Sequence, residues 1–267
     1  MNRPLSFRHR QSGFSVLELL LSLSIFIVVS GAALTLLNSA QKRFQTEGQV
    51  LSSFQEGRLA LDMIVRDVND SGYPAANQFT AVATPVTSYA VTPVAWSPPS
   101  VNNPCAIGAC ANSPGNFDLI LEELNPTTNS VQWIHYQLIG TTLFRGNADK
   151  GGAGTDPAGA GAEVMFPYAT NVMNNAPAAQ IAQINATYPG TFPGGAPVPI
   201  FTYYCDAPTG AIPPTPLCTA AGANNLVTNI REVEVTLIVL TQQPDMQTKQ
   251  LRLVTLNGRG HRVNPKQ

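Results

Sequence analysis

One apolar run near the N-terminus constrains the fold of this chain more than any other feature. Residues 14–37 contain a single charged side chain, Glu18, and their other polar side chains are only Ser and Thr. A helix of these 24 residues would be about 36 Å long, and the hydrocarbon core of a bilayer is about 30 Å thick. A soluble core helix is rarely apolar on all sides over such a length. The run therefore predicts a membrane-spanning helix.

The charges that flank the run predict its orientation. Three Arg lie within the first ten residues, and Lys42 and Arg43 follow the run. This asymmetry favours a cytoplasmic N-terminus and an exported remainder. The run is longer than the apolar core of a cleaved secretory signal, which leaves an ordinary signal anchor as an alternative. That alternative does not explain Glu18, because a charged group in a spanning helix is unfavourable and usually marks a function or a partner.

The junction between Gly13 and Phe14 resembles a known processing signal. The segment SGFSVLELL, residues 12–20, follows a basic leader and places Glu18 fifth from Phe14. This pattern resembles the signal of type IV prepilins. In that family a membrane aspartyl peptidase cuts after the Gly on the cytoplasmic side and methylates the new N-terminal amine. The resemblance implies that residues 1–13 are a leader, that cleavage follows Gly13, and that Phe14 is N-methylated.

The same resemblance implies a role for Glu18 in subunit assembly. The N-terminal helices of a filament pack in a staggered bundle, where the carboxylate of one subunit meets the ammonium of its neighbour's Phe14. Two charges that are each unfavourable in lipid then form a pair that sets the axial register. The alternative is a Glu18 side chain that extends to the cytoplasmic interface without a partner.

The helix is predicted to continue beyond the apolar run. Apolar residues and one Gly recur at steps of three or four from Val50 to Val68, which indicates an amphipathic continuation over residues 38–70. The polar sequence NDSGYP, residues 69–74, predicts its end. The segment RLALDMIVRDVNDSGY, residues 58–73, resembles the end of the long helix in PilW-type minor pilins and in the J-type minor pseudopilins of type II secretion.

Residues 71–267 are predicted to form one globular, β-rich domain. Alternating apolar and polar residues predict antiparallel strands with one face on a core. The predicted strands are 117–123, 131–138, 142–145, 201–204, 231–240 and 249–256. The segment IHYQLIGTTLFRG, residues 134–146, is also similar to a strand-turn-strand of minor pilins, and the insertion at about 146–200 is flexible by composition. The expected fold is α+β and pilin-like: a long N-terminal helix packed on an antiparallel sheet with long loop insertions.

Four cysteines follow the apolar run, at Cys105, Cys110, Cys205 and Cys218. In an oxidising compartment they would pair, and four cysteines allow three connectivities. We favour the local pairs Cys105–Cys110 and Cys205–Cys218. A zinc site is the alternative, but the spacings are unusual for zinc and no His lies near either pair.

The sequence contains no recognisable catalytic set. The three His, His9, His135 and His261, are far apart, and adjacent Glu122 and Glu123 in a strand would point to opposite faces. Asp149 and Asp156 could bind calcium, but their spacing does not fit an EF-hand loop. The net charge of −1, with no Lys/Arg cluster after Arg66, does not suggest a nucleic-acid binder. We therefore expect no enzymatic activity, cofactor or metal.

The resemblance implies a minor pilin or pseudopilin near the tip of a type IV pilus or type II secretion pseudopilus. Its partners would be the prepilin peptidase, other pilin or pseudopilin subunits, the inner-membrane assembly platform and membrane lipid. The chain would first span the inner membrane once and then enter a filament in the periplasm or at the cell surface. The alternative is a membrane-anchored adhesin or DNA-uptake module that binds through the loops at 74–116 and 146–230.

Overall fold

The computed structural model describes most of the chain. The described residues are 13, 15–74, 90, 93–96, 107–110, 113–150, 164–206, 217–218, 226–245 and 248–262. The helices are α1 (Val16–Asp70) and α2 (Ala178–Thr187), with short 3-10 turns at Pro193–Gly195 and Val227–Asn229. The strands are β1 (Val94–Ala95), β2 (Asp118–Asn125), β3 (Ser130–Ile139), β4 (Thr142–Asp149), β5 (Phe166–Ala169), β6 (Phe201–Cys205), β7 (Ile230–Leu240) and β8 (Leu253–His261).

Helix α1 is one continuous helix of 55 residues, which makes it about 80 Å long. It ends where the polar sequence predicts. The hydroxyl of Ser71 donates a hydrogen bond to the carbonyl oxygen of Val68 at 2.7 Å, and Gly72 then turns the chain with a φ of 81°, which Gly adopts without strain. The apolar run and the amphipathic stripe therefore belong to a single continuous helix.

The strands form two antiparallel sheets. One has the order β1-β2-β3-β4-β5, and the other has the order β6-β7-β8. The chain after β5 connects them, because the N–H of Met173 donates to Ile238 O at 2.7 Å and the N–H of Leu240 donates to Asn171 O at 3.1 Å. The buried side-chain amide of Asn174 adds a bond to Thr236 O at 2.8 Å.

The two helices pack on opposite faces of β7. The second half of α1 shares one core with side chains of both sheets, including Val235 and Val239 of β7. Helix α2 packs on Ile238 and Leu240, which are even-numbered residues of the same strand. Their side chains point to the other face because side chains alternate along a strand. The α+β arrangement predicted from the sequence is confirmed, with α1 lying mainly on β8 and β7.

Residues 164–200 contain regular elements that the sequence did not predict. Strand β5 pairs with β4, and α2 buries Ile181 and Ile184 against the core beneath it. Both elements lie in the segment predicted as a flexible insertion at about 146–200. Residues 151–163, its most glycine-rich part, lie outside the described residues.

The last strand begins and ends later than predicted. The apolar pattern predicted residues 249–256, whereas β8 is Leu253–His261. The connection is longer because Asp245 accepts bonds from Thr248 N at 3.1 Å and Arg252 Nη2 at 2.7 Å, and because Lys249 adopts a φ of 59°. The prediction stopped at 256 because Gly258 and Gly260 weaken a strand pattern.

Candidate functional site

The start of α1 lies directly beside the predicted cleavage point. Gly13 is exposed, Phe14 lies outside the described residues, and Ser15 caps the helix in an extended conformation. The hydroxyl of Ser15 accepts a bond from Leu17 N at 3.3 Å. The helix therefore begins two residues after the predicted scissile bond, which leaves Gly13 outside it.

Glu18 occupies the first turn of α1. Its backbone N–H donates to Ser15 O at 3.0 Å, and its side chain is exposed. A carboxylate in this turn interacts favourably with the positive end of the helix dipole. Ser15 and Glu18 also have the Ser-x-x-Glu spacing of a capping box, a signal that the sequence analysis overlooked. The geometry leaves the Glu18 carboxylate available to a group outside the chain.

The apolar part of α1 has no packing partner within the described residues. No residue of the helix before Ser53 is buried, and the 18-residue stretch most suited to a membrane is 0% buried. Two of its hydroxyl groups bond to their own helix: Ser22 donates to Leu19 O at 2.9 Å, and Ser24 donates to Leu21 O at 2.8 Å. By length and composition this helix can cross a membrane.

A polar cluster fastens the second half of α1 to the five-stranded sheet. Asp67, which is buried, accepts a hydrogen bond from the hydroxyl of Tyr136 at 2.5 Å and one from Arg145 Nη2 at 2.9 Å. Burial, and after it the charge of Asp67, holds the pKa of Tyr136 well above its usual value. Asp67 lies in the segment 58–73, and Tyr136 and Arg145 lie in the segment 134–146.

Glu123 lies beside this cluster, in an open groove that it shares with Asp67, Asp70 and Arg145. Burial, followed by the charge of Asp67, raises the pKa of Glu123 to about 7. The neighbouring Glu122 points the other way and forms a fully buried ion pair with Lys150 at 3.0 Å. The two carboxylates thus lie in different environments on opposite faces of β2. No sequence pattern predicted the Glu122–Lys150 pair.

Three glycines allow α1 to lie directly on β8. A Cβ at Gly57 would lie 2.8 Å from Leu256 Cδ1, one at Gly258 would lie 2.9 Å from Leu61 Cδ1, and one at Gly260 would lie 2.6 Å from Val68 Cβ. Carbon atoms do not approach this closely without displacement of a neighbour. The N–H of His261 then donates to Asn69 Oδ1 at 2.7 Å. These contacts hold the helix at a fixed position on the sheet.

The cysteines form disulfides where the structure describes them. Cys205 and Cys218 are bonded to each other, which is the local pairing favoured from the sequence. Cys110 is also disulfide-bonded, and Cys105 lies outside the described residues. No group of three or more His, Cys, Asp or Glu within the described ranges could hold a metal ion. Asp149 accepts a bond from Asn125 Nδ2 at 3.2 Å, and Asp156 lies outside those ranges.

His135 is a buried side chain that lies beside a carboxylate of the neighbouring strand. It is buried in β3, and its Nε2 lies 3.2 Å from Asp118 Oδ2. The same Asp118 oxygen accepts a bond from Gln137 Nε2 at 2.8 Å. The other described histidine, His261, is half exposed and lies 3.1 Å from Glu232 on the outer face of β7 and β8.

Comparison with known proteins gives one match, and it covers the N-terminal region described above. Residues 8–34 match the family model of the prokaryotic N-terminal methylation motif. No curated protein and no solved structure matches the chain. The match includes Gly13, Ser15 and Glu18 and the first five turns of α1. The chain therefore carries a type IV pilin-like N-terminal methylation signal, which indicates a substrate of a prepilin peptidase.

Proposed function

We propose that the chain is a minor subunit of a type IV pilus or of a type II secretion pseudopilus. A prepilin peptidase cleaves it after Gly13 and methylates Phe14. It then assembles with other pilin or pseudopilin subunits through α1, near the tip of the filament. The proposed role is structural and includes no catalytic activity.

The observation that carries this proposal is the division of α1 into two halves. No residue before Ser53 is buried, whereas Gly57, Ile64 and Val68 are buried against the sheets. Exposed apolar side chains of the first half include Phe26, Val28 and Phe44, the last 79% exposed. Such a surface is unfavourable in water, so it requires lipid before assembly and protein after it.

Two further features support a minor rather than a repeating role. The segments that resemble minor pilins meet in the cluster of Asp67, Tyr136 and Arg145. The chain also has long insertions between β1 and β2 and between β6 and β7, and such loops would crowd the surface of a filament in which every subunit carried them.

The proposal places the chain in the inner membrane before assembly, with its N-terminus in the cytoplasm. The arginines ahead of the apolar run support this orientation. The folded domain would then be on the periplasmic side, where its disulfides are favoured. The assembly platform of the inner membrane would transfer the subunit to the filament.

Mass spectrometry of the mature N-terminus tests the proposal. In cells with the prepilin peptidase we expect a peptide that begins at methylated Phe14, and in cells without it a chain that retains residues 1–13. The same cells report assembly through the fraction of the chain in sheared filaments. An unprocessed chain in both strains, or a processed chain that never enters filaments, would contradict the proposal.

A further inference from the structure

Strand β8 has an open edge in the part of the chain that the structure describes. It pairs with β7 over nine residues without a register shift. The hydrogen bonds of Arg262 N to Arg231 O and of Thr241 N to Arg252 O place the even-numbered residues of β8 toward β7. The backbone groups of Leu253, Thr255, Asn257 and Arg259 therefore point away from the sheet. Among the described residues, the outward N–H groups of β8 have one acceptor, Asn69 Oδ1, and it bonds to His261.

An edge of this length is uncommon unless something covers it. Natural sheets protect their edges with short strands, Pro, bulges or a covering helix. Strand β8 is nine residues long, contains no Pro and has no bulge against β7. Among the described residues, only the end of α1 covers this edge, where Asn69 bonds to His261, the last residue of the strand. The outward backbone N–H and C=O groups of β8 could therefore form hydrogen bonds with an added strand.

An apolar groove lies beside the first part of this edge. Helix α1 lies above β8, and its flank forms one wall while the start of β8 forms the other. The groove has a volume of about 440 Å³ and is lined in part by Val50, Leu51, Phe54, Leu253 and Val254. Leu51 is 55% exposed and Phe54 is 36% exposed. A strand added to β8 would place every second side chain under this flank.

We propose that the edge of β8, together with this flank of α1, receives an extended segment of a different pilin-like subunit as an added antiparallel or parallel strand. The inference rests on the proposed function, because it takes the partner from the same filament. Apolar and polar side chains alternate along the partner segment. Its side chains facing α1 are apolar, to cover Leu51 and Phe54, and those facing the other side are polar, beside Thr255 and Arg259.

The direction of β8 argues against antiparallel pairing with β8 of a second copy. Gly57 lies against Leu256, and Val68, further along α1, lies against Gly260, so α1 and β8 run in the same direction. Antiparallel pairing of two β8 strands requires a two-fold axis perpendicular to them. That axis would turn the two α1 helices in opposite directions, which helices anchored with the same orientation in one membrane do not permit.

Site-specific photo-cross-linking in cells that contain the whole filament machinery tests the inference. The full-length chain carries a photo-reactive amino acid at Asn257, which is exposed on the open edge, or at Thr128, which is exposed on the β2–β3 turn and serves as control. We expect at least a five-fold higher yield from position 257. We expect mass spectrometry to place the cross-link in an extended segment of another pilin-like subunit.

Substitutions in β8 show whether the cross-link depends on backbone hydrogen bonds to the partner or only on a partner that lies nearby. Thr255→Pro removes one outward N–H without removing a bond to β7, whereas Thr255→Ala keeps that N–H. We expect the first to reduce cross-linking at least five-fold and the second to leave it unchanged. Protease resistance is measured alongside to show whether Thr255→Pro folds. The second variant is Leu51→Glu on the exposed flank of α1, and we expect it to reduce the yield as strongly.

Three results would overturn the inference: a yield at 257 equal to that at 128, cross-links that map to β8 of a second copy, or equal yields from a folded Thr255→Pro chain and Thr255→Ala. The mature N-terminus is measured in the same cells. Processed chains in filaments without the edge cross-link would refute the open-edge interface alone, whereas unprocessed chains would refute the proposed function.

Discussion

Arg145 on β4 donates two hydrogen bonds to a single oxygen of Asp67 on α1, from Nη2 at 2.9 Å and from Nε at 3.2 Å. The Asp67 side chain is 7% exposed and that of Arg145 is 26% exposed. The hydroxyl of Tyr136 donates to the same oxygen. The carboxylate of Asp67 is thus the point at which the helix is fastened to the five-stranded sheet.

Replacing Asp67 by Asn tests this attachment. The substitution removes the charge that Arg145 and Tyr136 face and leaves their donors poorly satisfied. We expect a loss of about 2 kcal/mol in the free energy of unfolding, measured by chemical denaturation of the chain in detergent. Asp62→Asn is the matched control, because Asp62 pairs with Arg58 on the exposed surface of the same helix, and we expect a change below about 0.5 kcal/mol. Equal effects of the two substitutions would contradict the assignment.

The pKa of Glu123, raised to about 7, predicts a pH dependence of stability. The folded state binds this proton more tightly than the unfolded state, whose Glu titrates near 4.5. Its contribution to stability is therefore complete below about pH 4.5 and is lost as the pH rises through about 7.

Glu123→Gln removes that titration. We expect the stability of the native chain, relative to the Gln variant, to fall between pH 4.5 and 7, as measured by denaturation at a series of pH values. The difference between the two chains cancels the contributions of groups that the substitution does not affect. A constant difference across this range would show that Glu123 titrates normally.

Glycine at position 260 is required by the contact between α1 and β8. In Gly260→Ala the new Cβ would lie 2.6 Å from Val68 Cβ, so the helix must move away from the strand. We expect destabilisation of about 1–3 kcal/mol. Gly48→Ala is the control, because a Cβ at Gly48 meets nothing within 4 Å and Ala stabilises a helix by up to about 1 kcal/mol. Opposite signs in the two unfolding measurements are the expected result.

Replacing Glu18 by Ala is expected to separate processing from assembly. The exposed carboxylate in the first turn of α1 is the proposed partner of a neighbour's N-terminal ammonium. Its removal should leave cleavage after Gly13 largely intact and strongly reduce incorporation into filaments. N-terminal mass spectrometry and quantification of sheared filaments give the two readouts. Asp62→Ala, an exposed position further along the same helix, is the control, and normal incorporation of Glu18→Ala would refute the assembly role.

Local patterns predicted the long helix and most of the strands. The end of α1 followed from the polar sequence after Val68, and β7 followed from the alternation of residues 231–240, because both signals lie within a few residues of the element they define. The bounds predicted for β8 were wrong because Gly258 and Gly260 are unusual in a strand. Only the helix that packs on these two glycines explains why they occur there. A strand pattern contains no information about a neighbour 192 residues away in sequence.

The interactions that hold the domain together could not be predicted from local patterns either, because their partners are far apart in sequence. The segments that contain Asp67, Tyr136 and Arg145 were each singled out by resemblance, but nothing in them indicates that the three side chains meet. Helix α2 was missed because Ile181 and Ile184 are its only large apolar residues and because its surroundings are rich in Gly and Pro. At the N-terminus, by contrast, Gly13 and Glu18 belong to a contiguous signal, so the sequence was sufficient to find them.

The unbroken course of α1 makes it a torsional link between the membrane and the folded domain. Asp67 fixes the rotational phase of the helix relative to the sheet, and Glu18 lies on the same rod 49 residues earlier. Each residue of an α-helix contributes about 100° of rotation and 1.5 Å of rise. A single residue inserted between these positions would turn Glu18 by more than a quarter of a revolution, although it would leave every local motif intact. The length of α1 therefore determines the azimuth at which the domain projects from any bundle that its N-terminus joins.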